Sequence, residues 1–272
     1  MPLINPTFSV PPRRDLVATE SYNIMREVGA KMKWKQIGDI IVLNRNVENP
    51  EKYLKMKGVK TVVKIERIKG RIRRPEVKVL VGADTETTHK ENKCLFKLDV
   101  ATIMWSKGNT YERMRIPRLI EDGETIVDMF AGIGYFSIPI AVHANPKKVY
   151  AIEINPKAYH YLKENMKLNK VQDKIRPILG DSRIIAPKLS ADRVLMGYVV
   201  NTHHYLDAAL KCLKEGGILH YHETAPEKIK FKRPIKRVKK AAKPREVKIL
   251  NKRIIKKYSP GVWHVVIDAK ID

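Results

Sequence analysis

The chain reads TIVDMFAGIG over residues 125–134, and this stretch is the strongest indication of the fold. An apolar strand pattern ends in Asp128, and a turn with Gly132 and Gly134 leads into a helical pattern at 135–142. Glycines let the backbone turn sharply and approach a ligand, and a helix N-terminus offers free N–H donors. A dinucleotide-binding turn would read G-x-G-x-x-G around a pyrophosphate. A carboxylate before only two glycines suits instead a ligand with an amino group and a sulfonium.

Two more acidic residues follow the next two predicted strands. Glu153 ends the strand predicted at 148–153, where an acid accepts hydrogen bonds from both hydroxyls of a ribose. Asp181 follows the strand predicted at 175–179, where an acid can accept the adenine amino group. Either residue alone is equally well explained as a helix cap. Three acids at successive strand ends, on the edge where such sheets bind ligands, together predict a nucleoside pocket.

Strand and helix patterns alternate from residue 106 to residue 272, and we expect this region to be the catalytic domain, 106–272. Repeated βα units predict an α/β fold with a doubly wound, mainly parallel, Rossmann-like sheet. The final strand patterns, at 247–258 and 262–269, have no helix between them and are joined by Ser-Pro-Gly. They predict a hairpin, so the last strand should be antiparallel.

The sequence patterns of residues 1–105 predict a separate, small α+β domain with an accessory role in RNA binding. Basic residues cluster in it around Gly70, where a solvated turn and a contact to RNA phosphate are equally good explanations. The predicted elements are helices at 15–32 and 48–56 and strands at 37–43, 61–68, 77–81 and 94–99.

The charge of the chain predicts a polyanionic partner. It has 54 Lys and Arg against 29 Asp and Glu, and residues 228–272 alone hold 16 basic and 3 acidic residues. Such an excess favours nucleic acid, because each neutralised phosphate releases condensed counterions. Cys94 and Cys212 fit neither a disulfide framework nor a zinc site. Without an 18-residue apolar run or a secretory signal, we expect a cytoplasmic protein that does not enter membranes.

The predicted domain 106–272 resembles the class I S-adenosylmethionine-dependent methyltransferases. Within that class, four motifs are similar to those of the tRNA (guanine-37-N1) methyltransferases and their wybutosine-pathway relatives. This resemblance implies S-adenosylmethionine as the cofactor, tRNA as the substrate and no metal. The motifs are GRIR at 70–73, WSKGN-YERMRI at 105–116, DMFAGIGYF at 128–136 and YSPGVWH at 258–264.

The segment after the fourth predicted strand separates two subfamilies. Guanine-N1 methyltransferases carry an Asn-Leu-Pro or Asn-Pro-Pro-like motif there, whereas this chain reads GYVVNTH at 197–203. That segment is similar to the family of tRNA wybutosine-synthesising protein 2. The resemblance implies transfer of the 3-amino-3-carboxypropyl group of S-adenosylmethionine to C7 of 4-demethylwyosine at position 37 of tRNA(Phe). The alternatives are methyl transfer to guanosine 37 and a catalytically idle RNA-binding protein with a relic pocket.

The same resemblance assigns most of the cofactor pocket, and the other site residues are predicted from their position, charge or aromatic character. His203 is the candidate acceptor of the C7 proton, and a surface or helix-capping histidine is its alternative explanation. We expect a monomer that binds the anticodon region of tRNA(Phe), with Tyr198 available to stack on a splayed base. The basic helical pattern at 228–243 either touches that RNA or forms a solvated face. The cofactor residues are Ser106, Arg113, Asp128, Phe130, Ala131, Gly132, Glu153, Ile154, Asp181 and Ser182, and the RNA or substrate residues are Arg71, Arg73, Arg115, Tyr198, Lys239 and Lys240.

Overall fold

The computed structural model describes residues 34–70, 73–105 and 107–272. The predicted helix at 15–32 lies outside them. Contacts divide the described chain into two units. Residues 86–105 group with the second unit, whereas the sequence predicts them within the first domain. The first unit comprises 34–66 and 77–85, and the second comprises 67–70, 73–76, 86–105 and 107–272.

A four-stranded sheet forms the basis of the first unit. The single strand predicted at 37–43 is wrong, because Gly38 has a φ of 55° and turns the chain back on itself. Ile37 therefore pairs with Ile40 in an antiparallel hairpin. The strands follow the order β1-β2-β3-β4 and are β1 (Trp34–Ile37), β2 (Ile40–Leu43), β3 (Thr61–Lys69) and β4 (Arg74–Val81), with a 3₁₀ helix at Pro50–Lys55.

The second unit contains a hairpin and a seven-stranded sheet in the order β12-β13-β11-β10-β7-β8-β9. β7 to β11 are mutually parallel where they pair, whereas β13 is antiparallel to both β11 and β12. The predicted doubly wound sheet and its antiparallel last strand are thus confirmed. The strands are β5 (Glu86–Glu91), β6 (Cys94–Asp99), β7 (Thr125–Asp128), β8 (Lys148–Glu153), β9 (Ile175–Leu179), β10 (Ala191–Met196), β11 (Leu213–Pro226), β12 (Val247–Ser259) and β13 (Val262–Ile271).

Helices cover this sheet and bury its apolar residues. Parallel strands buried on both faces read as continuous apolar runs, as in β7 and β10. Val127, Val194 and Leu219 lie in one core cluster with residues of the helices. The helices are α1 (Thr110–Arg115), α2 (Ser137–His143), α3 (Pro156–Leu168), α4 (Ser182–Ile185), α5 (Leu206–Cys212) and α6 (Lys232–Ala242).

Helix α3 fixes the position of the hairpin β5–β6 and of the turn after β7. Asn165 is fully buried, and its Nδ2 donates to the backbone oxygen of Ile133 at 3.0 Å. The backbone N–H of Lys97 on β6 donates to Asn165 Oδ1 at 2.6 Å. One turn further on, the side chain of Asn169 bonds both backbone groups of Leu95. Two amide side chains thereby satisfy backbone groups of β6 that another strand would otherwise bind.

Candidate active site

A pocket of about 220 Å³ lies in the second unit, where β7 to β10 end. Two sets of its lining residues are of interest for ligand binding. The nucleoside side consists of residues that follow β7, β8 and β9, namely Phe130, Gly132, Glu153, Ile154, Asp181 and Ser182. The hairpin side consists of residues on or beside β12 and β13, namely Arg73, Asn109, Lys256, Tyr258 and His264.

Asp128 holds the turn after β7 and does not line the pocket. Its side chain is fully buried, Oδ1 accepts from the backbone N–H of Phe130 at 3.3 Å, and Oδ2 accepts from Ser137 Oγ at 2.8 Å. Burial raises the pKa of this carboxyl to about 6. The sequence predicts direct cofactor contact for Asp128, and the structure instead gives it the role of joining the turn to α2.

Gly132 brings the turn close to the end of β8. Its φ is 57°, and an added Cβ would lie 2.5 Å from the Tyr135 ring. Its backbone N–H donates to Glu153 Oε2 at 2.7 Å, while Asn155 N donates to Oε1 at 2.7 Å. Burial raises the pKa of Glu153 above its ordinary value. These contacts aim a carboxylate, with lone pairs to spare, into the pocket.

Asp181 and the aromatic residues complete the nucleoside side. Asp181 caps α4 by accepting from the backbone N–H of Arg183 at 2.9 Å, and it pairs with the guanidinium of the same residue. The rings of Phe130 and Tyr198 stack with centroids 5.2 Å apart. Ile154 is 42% exposed beside them. A planar, apolar surface next to two carboxylates matches a base and a ribose with their hydroxyl and amino groups.

Three polar atoms of the hairpin side are buried without a hydrogen-bond partner among the described residues. They are Arg73 Nε, Asn109 Oδ1 and His264 Nδ1. Arg73 also approaches Tyr258, with Nη1 3.4 Å from the hydroxyl oxygen. Buried polar groups without partners are rare in native proteins, and a bound polar ligand is one way to satisfy them. The donors and acceptors of both sides therefore fit a nucleoside with a charged amino-acid tail, as in S-adenosylmethionine.

Arg113 also lines the pocket, and contacts with Glu91 and Trp105 fix the position of its side chain. It is 1% exposed and forms two hydrogen bonds with Glu91, at 2.6 Å and 2.9 Å. Its guanidinium carbon lies 4.7 Å from the centroid of the Trp105 ring. Bidentate pairing and stacking fix the planar group in one orientation. Its predicted role in cofactor binding stays a prediction.

The structure places several predicted site residues away from the pocket wall. Arg115 is 9% exposed and bonded to Glu112 and Asp268 in a buried ion-pair network. His203 lies on a 3₁₀ helix at Thr202–Tyr205 and is not among the lining residues. Burial, followed by the charge of Arg237, lowers its pKa. Ala131 is fully buried, Lys239 and Lys240 are exposed near the end of α6, and Ser106 and Arg71 lie outside the described residues.

Sequence reasoning missed Asn109, Lys256, Tyr258 and His264 as pocket residues. The last two belong to the motif YSPGVWH at 258–264, which carried the family resemblance without a role for either side chain. Within the described chain, no group of three or more His, Cys, Asp or Glu is arranged to hold a metal ion. Nor does any described helix combine the length and apolar character needed to span a membrane.

Sheet order, the antiparallel β13 and a pocket at the ends of the parallel strands define a class I S-adenosylmethionine-dependent methyltransferase fold. Two family models match the chain: the TRM5/TYW2 methyltransferase domain at residues 87–250 and the TYW2 N-terminal domain at residues 21–85. The chain belongs to the TRM5/TYW2 family, which confirms the predicted resemblance.

Individual relatives cover nearly the whole chain. A Methanocaldococcus jannaschii protein named tRNA(Phe) (4-demethylwyosine(37)-C(7)) aminocarboxypropyltransferase is 50% identical over 248 residues, 89% of this chain and 98% of its own length. The crystal structure of M. jannaschii TYW2 in complex with AdoMet has a TM-score of 0.73 at 48% identity, covering 88% of this chain and 99% of that one. P. horikoshii TYW2 in complex with MeSAdo has a TM-score of 0.80 at 39% identity, covering 92% and 98%.

Proposed function

We propose that this chain is an aminocarboxypropyltransferase. It transfers the 3-amino-3-carboxypropyl group of S-adenosylmethionine to C7 of 4-demethylwyosine at position 37 of tRNA(Phe). The observation that carries the proposal is that one pocket is lined both by Glu153 and Asp181 and by Arg73 and Asn109, whose Nε and Oδ1 have no hydrogen-bond partner among the described residues. The name of the M. jannaschii relative, 50% identical to this chain, supports the same reaction.

The side chains of the pocket act by binding and orientation. Bound S-adenosylmethionine supplies a sulfonium that activates three carbons, and the carbon that faces the nucleophile reacts. Glu153 and Asp181 hold the nucleoside from the ends of β8 and β9. Arg73 Nε and Asn109 Oδ1 match the carboxylate and the ammonium of the amino-acid tail, respectively. Fixing that tail selects its γ-carbon, and no further catalytic group is needed for this choice.

The substrate is tRNA, and the charge of the chain supports binding at its anticodon region. The net charge is +25, and Lys239 and Lys240 are exposed near the end of α6. Each phosphate neutralised by such a lysine makes binding weaker at higher salt. The basic stretch of sequence around Gly70, which includes Arg71, contributes further RNA contacts, whereas Arg73 is assigned to the cofactor tail. The protein acts as a monomer in the cytoplasm.

A double-label experiment tests the reaction. Purified protein is incubated with tRNA(Phe) carrying 4-demethylwyosine and with S-adenosylmethionine labelled either at the carboxyl carbon or at the methyl carbon. We expect the carboxyl label to enter the tRNA and methylthioadenosine to accumulate. In a parallel incubation with tRNA that carries guanosine at position 37, methyl label in the tRNA together with S-adenosylhomocysteine would establish the methyltransferase instead. Absence of both labels, with no cofactor binding by calorimetry, would indicate the relic RNA-binding protein.

A further inference from the structure

His264 lies on the hairpin side of the pocket, where no role has been assigned to it. It is the third residue of β13, is 1% exposed and lines the pocket. In the sheet, β13 and β11 lie on one side of β10, whereas β7, β8 and β9 lie on the other. The loops that hold the nucleoside follow β7 to β9. His264 therefore lines the pocket apart from the loops that hold the nucleoside, beside the proposed place of the amino-acid tail that the acceptor base must meet.

The two ring nitrogens of His264 have different surroundings. Nε2 lies 3.0 Å from Nδ1 of His222, which is also buried. Nδ1 of His264 is buried and has no hydrogen-bond partner among the described residues. One hydrogen is shared between the two rings. When it is carried by His264 Nε2 and donated to His222, the lone pair of His264 Nδ1 is available to a bound molecule.

The surroundings of this pair keep both rings uncharged. Burial lowers the pKa of His264 well below its ordinary value. The neighbouring His222 and the charges of Lys256 and Arg73 act in the same direction. Burial also lowers the pKa of His222 to about 3, and the nearby charges of Asp268 and Arg115 act in opposite directions. A neutral imidazole is the form that accepts a proton. In the tautomer that carries its hydrogen on Nε2, the lone pair of Nδ1 is therefore present throughout the physiological pH range.

We propose that Nδ1 of His264 accepts the proton that C7 loses, with His222 as a positioning residue. This inference rests on the proposed function. The bond from C7 to the γ-carbon forms as the bond from that carbon to sulfur breaks, and the electron pair leaves with sulfur as methylthioadenosine. The alkylated ring is then a cation, and its C7 proton passes to Nδ1 to restore the neutral aromatic ring. One positive charge moves from the sulfonium to the imidazole, where the hydrogen bond to His222 stabilises it.

Two substitutions at one position separate the ring nitrogens. His264→Gln keeps an amide near Nε2 and His222, whereas His264→Asn keeps an amide near Nδ1 and the pocket. Neither side chain accepts a proton at neutral pH. We expect arm transfer in single turnovers to fall by about 10²- to 10⁴-fold in both variants, the usual contribution of a general base. Calorimetry should show that both variants still bind S-adenosylmethionine, and His160→Gln, an exposed substitution on α3, should match the parent throughout.

Two further measurements report on the proton itself. Deuterium at C7 should slow transfer in the His264 variants more than in the parent, because loss of the proton becomes rate-limiting. In ¹⁵N-histidine-labelled parent protein without ligand, NMR should show that Nδ1 of His264 carries no hydrogen. The signals of His264 are identified as those missing from the spectrum of His264→Gln. That reading does not depend on activity.

Several outcomes would overturn the inference. A hydrogen found on Nδ1 of His264 would exclude the ring as the acceptor. If either variant transfers the arm at the parent's rate, His264 is not the proton acceptor. If transfer is slower but the C7 isotope effect is no larger, His264 has only a structural role. If the parent does not transfer the carboxyl label, the proposed function is wrong. The NMR result on the protonation of His264 is independent of that outcome. If one variant does not fold, the other and the NMR spectrum of the parent decide.

Discussion

Asn165 and Lys97 bond to each other in both directions, side chain to backbone. The N–H of Lys97 donates to Asn165 Oδ1 at 2.6 Å, and Asn165 Nδ2 donates to the Lys97 oxygen at 3.2 Å. Asn165 Nδ2 also reaches Ile133 O in the turn that forms the pocket. One fully buried amide thus joins β6, α3 and this turn. It does so in a unit where packing alone would leave three backbone groups unpaired.

Replacing this amide should cost stability. In Asn165→Leu, which has a similar volume, backbone groups of partly buried Lys97 and fully buried Ile133 lose their partners. We expect the free energy of unfolding in urea to fall by about 3 kcal/mol. Asn251→Leu, an exposed position on β12, should change it by less than about 0.5 kcal/mol. Equal effects of the two substitutions would show that Asn165 is not special.

Glu153 should control binding of the nucleoside. In Glu153→Gln, one amide hydrogen would face the N–H of Gly132 or of Asn155, so the turn and the pocket both lose an acceptor. We expect the affinity for S-adenosylmethionine to fall about 10- to 100-fold, the range for a hydrogen bond to a charged group. Isothermal calorimetry measures it, with exposed Glu121→Gln as the matched control. Unchanged affinity would remove Glu153 from the binding site.

Arg73 should distinguish the cofactor from its product. Its Nε is buried without a described partner on the hairpin side, where the amino-acid tail is proposed to lie. Arg73→Met should therefore weaken S-adenosylmethionine about 10- to 100-fold. It should leave the affinity for methylthioadenosine, which lacks that tail, as in the parent. Equal weakening of both ligands in calorimetry would place Arg73 elsewhere in the pocket.

The buried histidines should make stability depend on pH. His222 and His264 are neutral when folded because burial depresses their pKa values, whereas the unfolded side chains titrate near 6.5. Unfolding therefore takes up protons below about pH 6.5, and stability falls as the pH falls, until the folded rings also protonate near pH 3 for His222. Two such groups contribute a slope of about 2.7 kcal/mol per pH unit around pH 5.

Urea titrations at several pH values between 4.5 and 6 test this slope. The double variant His222→Gln, His264→Gln should lose it, whatever its stability at pH 7. Asp128 makes stability rise as the pH falls, because burial raises the pKa of its folded carboxyl to about 6. Both proteins contain Asp128, so its contribution cancels when their slopes are compared. The difference between the two slopes is therefore the quantity to compare. Parallel pH dependences would mean that the two rings are not kept neutral by the fold.

The sheet could be predicted well where strands are buried on both faces. The predicted bounds of β8 agree with the structure, because its apolar run at 149–152 lies inside the sheet. The predicted bounds of β9 agree as well, although β9 is an edge strand with an exposed Arg176. The strand β5, ETTHKE, was not predicted, because its charged and polar residues are stabilised by pairing with β6 and not by their own pattern. The predicted strand at 37–43 failed at Gly38, where a positive φ outweighs the apolar residues around it.

The site could be predicted only in part. Acids after successive strands meet at one edge of any parallel sheet, so Glu153 and Asp181 were accessible to sequence reasoning. The third acid, Asp128, is directed into the core by Ser137, which no spacing reveals. His264 and Asn109 reach the same pocket from segments more than 150 residues apart. Only the pairing of β13 with β11 shows that His264 meets His222.

The division of the pocket into a nucleoside side and a hairpin side separates two kinds of specificity along the chain. On the proposed function, residues 130–182 hold the nucleoside of the donor, while residues 73, 109 and 256–264 orient its amino-acid tail towards the acceptor. A protein with this sheet can thus acquire a different product by changes confined to the second group, with the residues that hold the nucleoside unaltered. The same donor site is therefore compatible with more than one reaction, and the segments that flank it select which group of the donor is transferred.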